Sequence, residues 1–310
     1  MTMAIYKKAG GKLISIKEKK IELEKDLQKI VENNLSEVFG LKFISSEFSL
    51  KNLRVDTLAF DEETNSFVII EYKKDKNFTV IDQGFAYLSL LLNNKADFVL
   101  EYNEKTKKNL KKEDIDWSQS RVIFIAQSFT RYQQEAIGFQ DLPIELWEVK
   151  KYENNLFLFN QIKATEKSES IKAISKNKDI DKVSKEIRQY TIEDHFKPQW
   201  TKSKELFDEF SRRVLEIDSD IEIHSVRSHI AFKINNKNLI NVVPGKSKLR
   251  IDLLRTKPED IKDPEKKAKY LPNSFKYWNQ HVSSVSIYKE SDIDYILYLT
   301  KQVYNKFFQD

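Results

Sequence analysis

Two carboxylates and a lysine with the spacing of a reaction centre occur in the segment RVDTLAFDEETNSFVIIEYKK, residues 54–74. Two runs of strand-forming residues flank the polar sequence DEETNS, and this pattern predicts a β-hairpin. If those six residues form the whole connection, Asp56 lies directly opposite Glu71. Because side chains alternate faces along a strand, Lys73 shares the face of Glu71. The pattern therefore predicts that Asp56, Glu71 and Lys73 lie together.

Opposed carboxylates of this kind repel each other, so it is costly for both to be ionised unless a cation lies between them. Mg²⁺ prefers hard oxygen ligands, often one or two carboxylates together with water and a substrate phosphate. A lysine such as Lys73 beside the ion could stabilise charge on phosphorus or position the attacking water. The pattern favours Mg²⁺-dependent phosphodiester hydrolysis, with Mn²⁺ able to substitute. The alternative is an ion-pair ladder on a half-exposed hairpin, since E-x-K alone is common.

The elements around this hairpin must hold it in a folded domain. The apolar spacing predicts a helix from Ser15 to Phe39, ended by Gly40. Residues 103–116 are mostly charged and predict a loop or a short helix. Strands and helices are otherwise predicted at 41–50, 53–60, 67–74, 79–91, 121–128, 132–138, 144–152 and 155–162. The order αβββαβαββ predicts an α/β fold with a mixed sheet flanked by helices.

With these residues in place, the chain over about Ser15 to Ile162 resembles the PD-(D/E)XK nuclease superfamily. Asp56 matches the Asp of that pattern, and Glu71-Tyr72-Lys73 matches E-x-K. The resemblance implies a restriction-endonuclease-like core in which Asp56, Glu71 and the Tyr72 carbonyl bind the metal and Lys73 is catalytic. Val55 stands where many members have proline, a position that is frequently lost.

The same resemblance implies roles for residues in the two helices beside the hairpin. Glu24 corresponds to a catalytic Glu of the first helix, and Gln83 to a catalytic Gln in the helix after E-x-K. Tyr87, four residues beyond Gln83, would contact nucleic acid. The alternatives are a solvated helix Glu and a core Gln with an ordinary hydrogen-bond partner.

Lys74 and Lys76 follow the E-x-K motif in a predicted loop. Lysines at that place could contact the phosphates of a nucleic acid. They could equally be solvated lysines with no ligand.

The second half of the chain predicts a separate domain. Hydrophobic periodicity stops over residues 163–191, which predicts a linker between a nuclease-like domain at 1–162 and a small α+β domain at 192–310. From about Thr191 to Phe308 the chain resembles an uncharacterised domain found fused behind such nucleases. Residues 1–162 carry 24 Lys+Arg and 25 Asp+Glu, a net of −1, whereas 163–310 carry 29 and 23, a net of +6. The basic half suits a polyanion partner, although a solvated lysine-rich surface is the alternative.

The composition excludes several classes of site. The chain has no cysteine, which rules out disulfides, thiolate zinc sites and cysteine nucleophiles. The sequence lacks a bilayer-spanning apolar run and a secretory signal, so a cytoplasmic location is expected.

Taken together, these patterns predict an endonuclease, with DNA favoured over RNA as the partner. The resemblance implies a setting in defence or repair. A homodimer would suit the cutting of both strands. The alternative is a non-catalytic module that keeps the nuclease fold to bind nucleic acid or protein.

Overall fold

The computed structural model forms two compact units. One comprises Met1–Asp61 and Asn65–Arg188, and the other comprises Glu62–Thr64 and Gln189–Asp310. The linker predicted at 163–191 lies mostly outside the described residues, so its bounds and those of the two domains stay predictions. The structure describes residues 4–21, 23–51, 53–74, 79–137, 142–163, 183, 185–278 and 280–308, with no side chains at 276 and 277.

The first unit begins with a hairpin that extends to Ile16. The start predicted for the first helix, Ser15, is therefore wrong. Strands β1 (Ile5–Ala9) and β2 (Lys12–Ile16) pair antiparallel across Gly10 and Gly11. Both glycines have positive φ, 53° and 77°, which a two-residue hairpin turn requires and other residues rarely adopt. The short strand β3 (Glu18–Lys19) follows.

The predicted helix is confined to α1 (Glu24–Glu32) and α2 (Leu35–Phe39). The break falls at the Asn pair after α1, where the Asn34 side-chain amide donates to the Ile30 backbone oxygen at 2.7 Å. Asparagine competes with the helix for backbone groups in this way. Gly40, in the left-handed conformation, ends α2 as predicted.

A mixed sheet forms the centre of the first unit, which confirms the predicted fold class. Its further strands are β4 (Lys42–Leu50), β5 (Leu53–Asp61), β6 (Ser66–Lys73), β7 (Arg121–Ala126), β8 (Ile144–Tyr152) and β9 (Phe157–Ile162). Within the described residues the order is β3-β8-β7-β6-β5-β4, with β9 also on β8. β6, β7 and β8 are parallel, and the remaining pairs are antiparallel.

Helices cover both faces of this sheet. α1 and α2 pack on one face, where Leu27 and Val31 join a buried cluster with Ile70 and Tyr72. The other face carries α3 (Val80–Asn93), α4 (Lys95–Thr106) and the short α5 (Arg131–Ala136). α4 was missed by the sequence analysis, which expected a loop or short helix from 103 onward.

The second unit is α+β, as predicted. Helix α6 (Thr201–Leu215) and the last helix α8 (Ile293–Phe307) pack on an antiparallel sheet. Between these helices the chain forms β10 (Glu222–Val226), β11 (His229–Ile234), β12 (Lys237–Pro244), β13 (Leu249–Leu254), β14 (Lys269–Tyr270), α7 (Ser274–Trp278) and β15 (Val282–Ile287). The strand order in the described residues is β10-β11-β12-β13-β15-β14. Across the part of the chain that the structure describes, no helix combines the length and apolar character needed to cross a membrane.

Candidate active site

The β5–β6 hairpin has the predicted register. Thr57 lies opposite Ile70 and Leu58 opposite Ile69, so the next facing pair would be Asp56 and Glu71. The ladder stops at Thr57, and the Tyr72 N–H donates instead to the Asp56 carboxylate at 3.0 Å. The Asp56 side chain is therefore fixed at the end of the ladder, beside the E-x-K strand.

The Glu71 carboxylate is buried, with 5% of the residue exposed, and it accepts hydrogen bonds at both oxygens. Oε1 accepts from the Lys73 ammonium at 2.7 Å and from the Gln83 amide at 3.2 Å. Oε2 accepts from the Tyr87 hydroxyl at 2.9 Å. Since a buried polar group is costly unless it is hydrogen-bonded, these three donors compensate for the burial of the Glu71 carboxylate.

Electrostatic coupling links the carboxylates of this site. Burial and the neighbouring Glu71 raise the pKa of Asp56 to about 6 from an ordinary value of 3.8. The Tyr72 N–H and Lys73 act in the opposite direction, and Glu24 adds to the rise. Glu71 and Glu24 therefore lie close enough to Asp56 to make its protonation easier.

Helix α3 contributes Gln83 and Tyr87, one turn apart on its inner side. The Gln83 amide also lies 3.3 Å from the Tyr87 oxygen, and the Arg54 backbone oxygen lies 3.3 Å from that oxygen. Burial and the charge of Glu71 raise the pKa of Tyr87, so its hydroxyl stays protonated and donates. Ala86 is exposed, so it does not belong to this side. The inner side follows residues 83, 87 and 90, at intervals of four and three.

Helix α1 contributes Glu24, its first residue. The Glu24 carboxylate accepts from the Lys74 backbone N–H at 3.1 Å, at the end of the E-x-K strand. The side chain is otherwise exposed. Glu24 thus joins the site through the backbone of β6 and through its field at Asp56.

Gln28 is a site residue that the sequence analysis missed. It is buried, and its amide donates to the Asp56 backbone oxygen at 2.9 Å. Ser46 and Glu32 also accept from this amide, each at 3.0 Å. The available signal was its spacing of four from Glu24, which places both on one side of α1.

The other predicted residues are less closely engaged. Lys74 is exposed, and its backbone rather than its ammonium contacts Glu24. Lys76 lies outside the described residues. The Tyr72 side chain is fully buried, and the role of its carbonyl as a ligand stays a prediction. The nucleic-acid contact of Tyr87 also stays a prediction, although its hydroxyl is engaged with Glu71.

The donor set of Asp56 and Glu71 suits a divalent cation. Their repulsion contributes to the raised pKa of Asp56, and a cation between them would relieve that repulsion. Among the described residues, no three His, Cys, Asp or Glu side chains are grouped to hold a metal ion. Remaining ligands would be backbone oxygens, water and phosphate, which is typical of Mg²⁺ sites and not of zinc sites.

Comparison with known proteins identifies the family of the chain at the level of sequence. A Haemophilus influenzae protein, described as an uncharacterized protein, is 41% identical over 301 residues, covering 97% of this chain and 99% of its own. The chain belongs to the family of that protein. No family model matches the sequence.

Two solved structures of endonucleases are similar to part of this chain. One is a repair endonuclease from Pyrococcus abyssi, 20% identical, covering 43% of this chain and 50% of that chain. The other is EndoMS in a complex with double-stranded DNA, 16% identical, covering 42% and 47%. Both have a TM-score of 0.25, at which neither carries an argument about function.

Proposed function

We propose that this chain is a Mg²⁺-dependent nuclease that hydrolyses phosphodiester bonds, acting as a DNA endonuclease in defence or repair. The observation that supports it is the set of contacts at Glu71, a buried carboxylate bound by Lys73, Gln83 and Tyr87. The Asp56 carboxylate, which comes from the neighbouring strand β5, accepts from the backbone N–H of Tyr72, one residue along β6 from Glu71. This arrangement combines oxygen ligands, a cation and orienting donors at one end of β6.

Each residue then has a defined task. Asp56 and Glu71, with the Tyr72 carbonyl, would hold the metal ion, which when bound polarises a phosphoryl oxygen and lowers the pKa of water. The Lys73 ammonium, oriented by Glu71, stabilises negative charge on the phosphate oxygens as water adds to phosphorus. Its effect is strengthened because Glu71 is buried away from bulk water.

The surrounding residues orient this centre. Gln83 and Tyr87 fix the Glu71 carboxylate, so we assign them positioning roles. Lys74 and Lys76 are proposed to contact the phosphates beyond the cut. The attacking water loses a proton to solvent as its bond to phosphorus forms. The leaving oxygen takes a proton from water as the phosphorus–oxygen bond breaks, which completes the hydrolysis.

The test is nicking of supercoiled plasmid by the purified full chain in Mg²⁺, in Mn²⁺ and in EDTA. Asp56→Asn, Glu71→Gln and Lys73→Met are each expected to slow nicking by at least about a hundredfold. The matched control is Asp82→Asn, an exposed carboxylate in the first turn of α3, which is expected to cut like the wild type.

Other outcomes decide against parts of the proposal. Nicking by EDTA-treated protein at the full rate would exclude the metal. Tight DNA binding with no cleavage in either metal would favour the non-catalytic binding module. Cleavage of RNA strands in preference to DNA would change the substrate class. Linear product formed without a nicked intermediate would support a homodimer with two cutting centres.

A further inference from the structure

The second unit exposes several aromatic side chains in one short stretch. Within residues 266–281, Tyr270 is 38% exposed, Phe275 52% and Trp278 36%. We define the aromatic surface as these three residues together with His281. Large rings left in water are costly, and a cluster of them commonly marks a binding surface.

Three of these rings, those of Tyr270, Phe275 and His281, contact one another before any ligand arrives. Phe275 stacks on His281 with ring centroids 4.9 Å apart and an angle of 27°. The Tyr270 hydroxyl lies 2.9 Å from His281 Nδ1. Phe275 and Trp278 are three residues apart in α7, so they share a side of that helix.

The backbone around the aromatic surface is also anchored. β14 pairs with β15, and the Leu271 N–H donates to the Val282 oxygen at 2.8 Å. The buried Ser274 hydroxyl, at the start of α7, accepts from the Val282 N–H at 3.2 Å. Because the rings are fixed on this frame, a ligand would lose little entropy in ordering them.

The charge beside the rings is uniformly positive in the sequence. Residues 266–281 contain four lysines and no Asp or Glu. Lys269, next to Tyr270, is exposed and forms no ion pair with the carboxylates of the described residues. Lys267, by contrast, is paired with Glu265 at 2.8 Å. Flat rings with neighbouring cations complement a polyanion that carries flat apolar groups.

We propose that the aromatic surface binds unpaired nucleotides of single-stranded DNA by stacking their bases on Phe275 and Trp278. A duplex hides the faces of its bases, whereas a single strand presents them to aromatic rings. Lys269 neutralises a phosphate of the same strand. This inference rests on the proposed function for the identity of the ligand, and it adds that the substrate includes an unpaired region.

The experiment measures binding by the full chain in EDTA, so that cleavage does not interfere. The probes are a labelled oligothymidylate strand and a labelled blunt duplex. Phe275→Leu and Trp278→Leu remove the rings and are each expected to weaken single-strand binding by about tenfold. Duplex binding should not change. Phe275→Tyr keeps a ring and should bind like the wild type.

A matched control and a second variant make the outcome specific. Tyr298→Ala removes a ring that is 43% exposed on α8 of the same unit, and it is expected to leave both affinities unchanged. Lys269→Gln keeps every ring. It should reduce the slope of log binding constant against log salt concentration by about 1, the loss of one phosphate contact. This second variant tests the surface even if the leucine variants fold poorly by circular dichroism.

Three results would overturn the proposal: unchanged single-strand affinity in the leucine variants, equal losses for strand and duplex, or no single-strand binding by the wild type. The nuclease proposal fails separately. Strand binding that depends on Phe275 with no plasmid nicking would retain the aromatic surface and reject the nuclease. Plasmid nicking together with unchanged single-strand affinity in both leucine variants would retain the nuclease and reject the aromatic surface.

Discussion

The side-chain amide of Gln28, on helix α1, donates to the backbone oxygen of Asp56 at 2.9 Å. This bond lies at the residue where the β5–β6 ladder has stopped, and Asp56 has no partner in the described pairs of that ladder. Gln28 therefore fixes the backbone that carries a proposed metal ligand, although it does not contact the Asp56 carboxylate.

Gln28→Ala is expected to slow nicking by about 10- to 100-fold, because groups that orient ligands have effects of this size. Unfolding in urea should show a loss of about 1–3 kcal/mol from the unpaired buried groups. The control is Gln134→Ala in α5, which removes a similar bond from a side-chain amide to the backbone oxygen of Phe129. If both variants slow nicking equally, Gln28 has no specific positioning role.

Tyr87→Phe removes the hydroxyl that donates to Glu71 at 2.9 Å. We expect nicking to fall by about tenfold or more and stability to fall by about 1–3 kcal/mol, since a buried carboxylate loses a donor. Tyr152→Phe is the matched control, because the Tyr152 hydroxyl is buried without a hydrogen-bond partner among the described residues. Its removal should be neutral or stabilising. Identical thermal shifts in the two variants would contradict the assignment.

Gly84→Ala tests how closely α3 approaches the sheet. A Cβ at Gly84 would overlap the end of the Ile144 side chain and lie 2.9 Å from its Cγ1. Overpacking of this kind should lower the free energy of unfolding by about 1–3 kcal/mol. Adding Ile144→Val shortens the obstructing side chain and should recover part of the loss in a double-mutant cycle. Strictly additive losses would show that the two residues do not clash.

Arg121 bridges two carboxylates at the far end of the strands. It lies 3.1 Å from Asp61 and 2.7 Å from Glu145. Burial lowers the pKa of Arg121, but the two carboxylates outweigh burial, so the pKa is raised. Arg121→Met should lower the free energy of unfolding by about 3–5 kcal/mol, because both carboxylates lose the cation that lies between them. Arg131→Met, which breaks an exposed pair with Glu135, should leave Tm nearly unchanged. A small loss at Arg121 would mean that water compensates the carboxylates.

The register of the hairpin was predictable because two constraints agree. The polar turn fixes which residues face each other, and a slip of one residue would place Asp56 and Glu71 on opposite faces of the sheet. Gln83 could be placed for a similar reason, since a single amide on an apolar helix side needs a partner. These features depend on local spacing, which the sequence displays directly.

Gln28 and α4 could not be found in this way. A glutamine in a charged helix fits the sequence pattern equally well whether it is solvated or buried. Gln28 is buried because β5 packs against it, and the sequence does not show that contact. The charged, exposed side of α4 obscured its periodicity, and Asn94 begins this second helix immediately after α3. The N-terminal hairpin was predictable from Gly10-Gly11, but no strand or helix was predicted before Ser15.

The proposed ligands are held from both faces of the sheet, by Gln28 and Glu24 of α1 and by Gln83 and Tyr87 of α3. Detachment of α1 would free the backbone of Asp56, and detachment of α3 would free the carboxylate of Glu71, while most of the sheet stayed folded. Local openings of this kind require less free energy than global unfolding. The fraction of competent molecules would then follow the weaker of the two helix contacts, so warming would abolish cutting before the core melts.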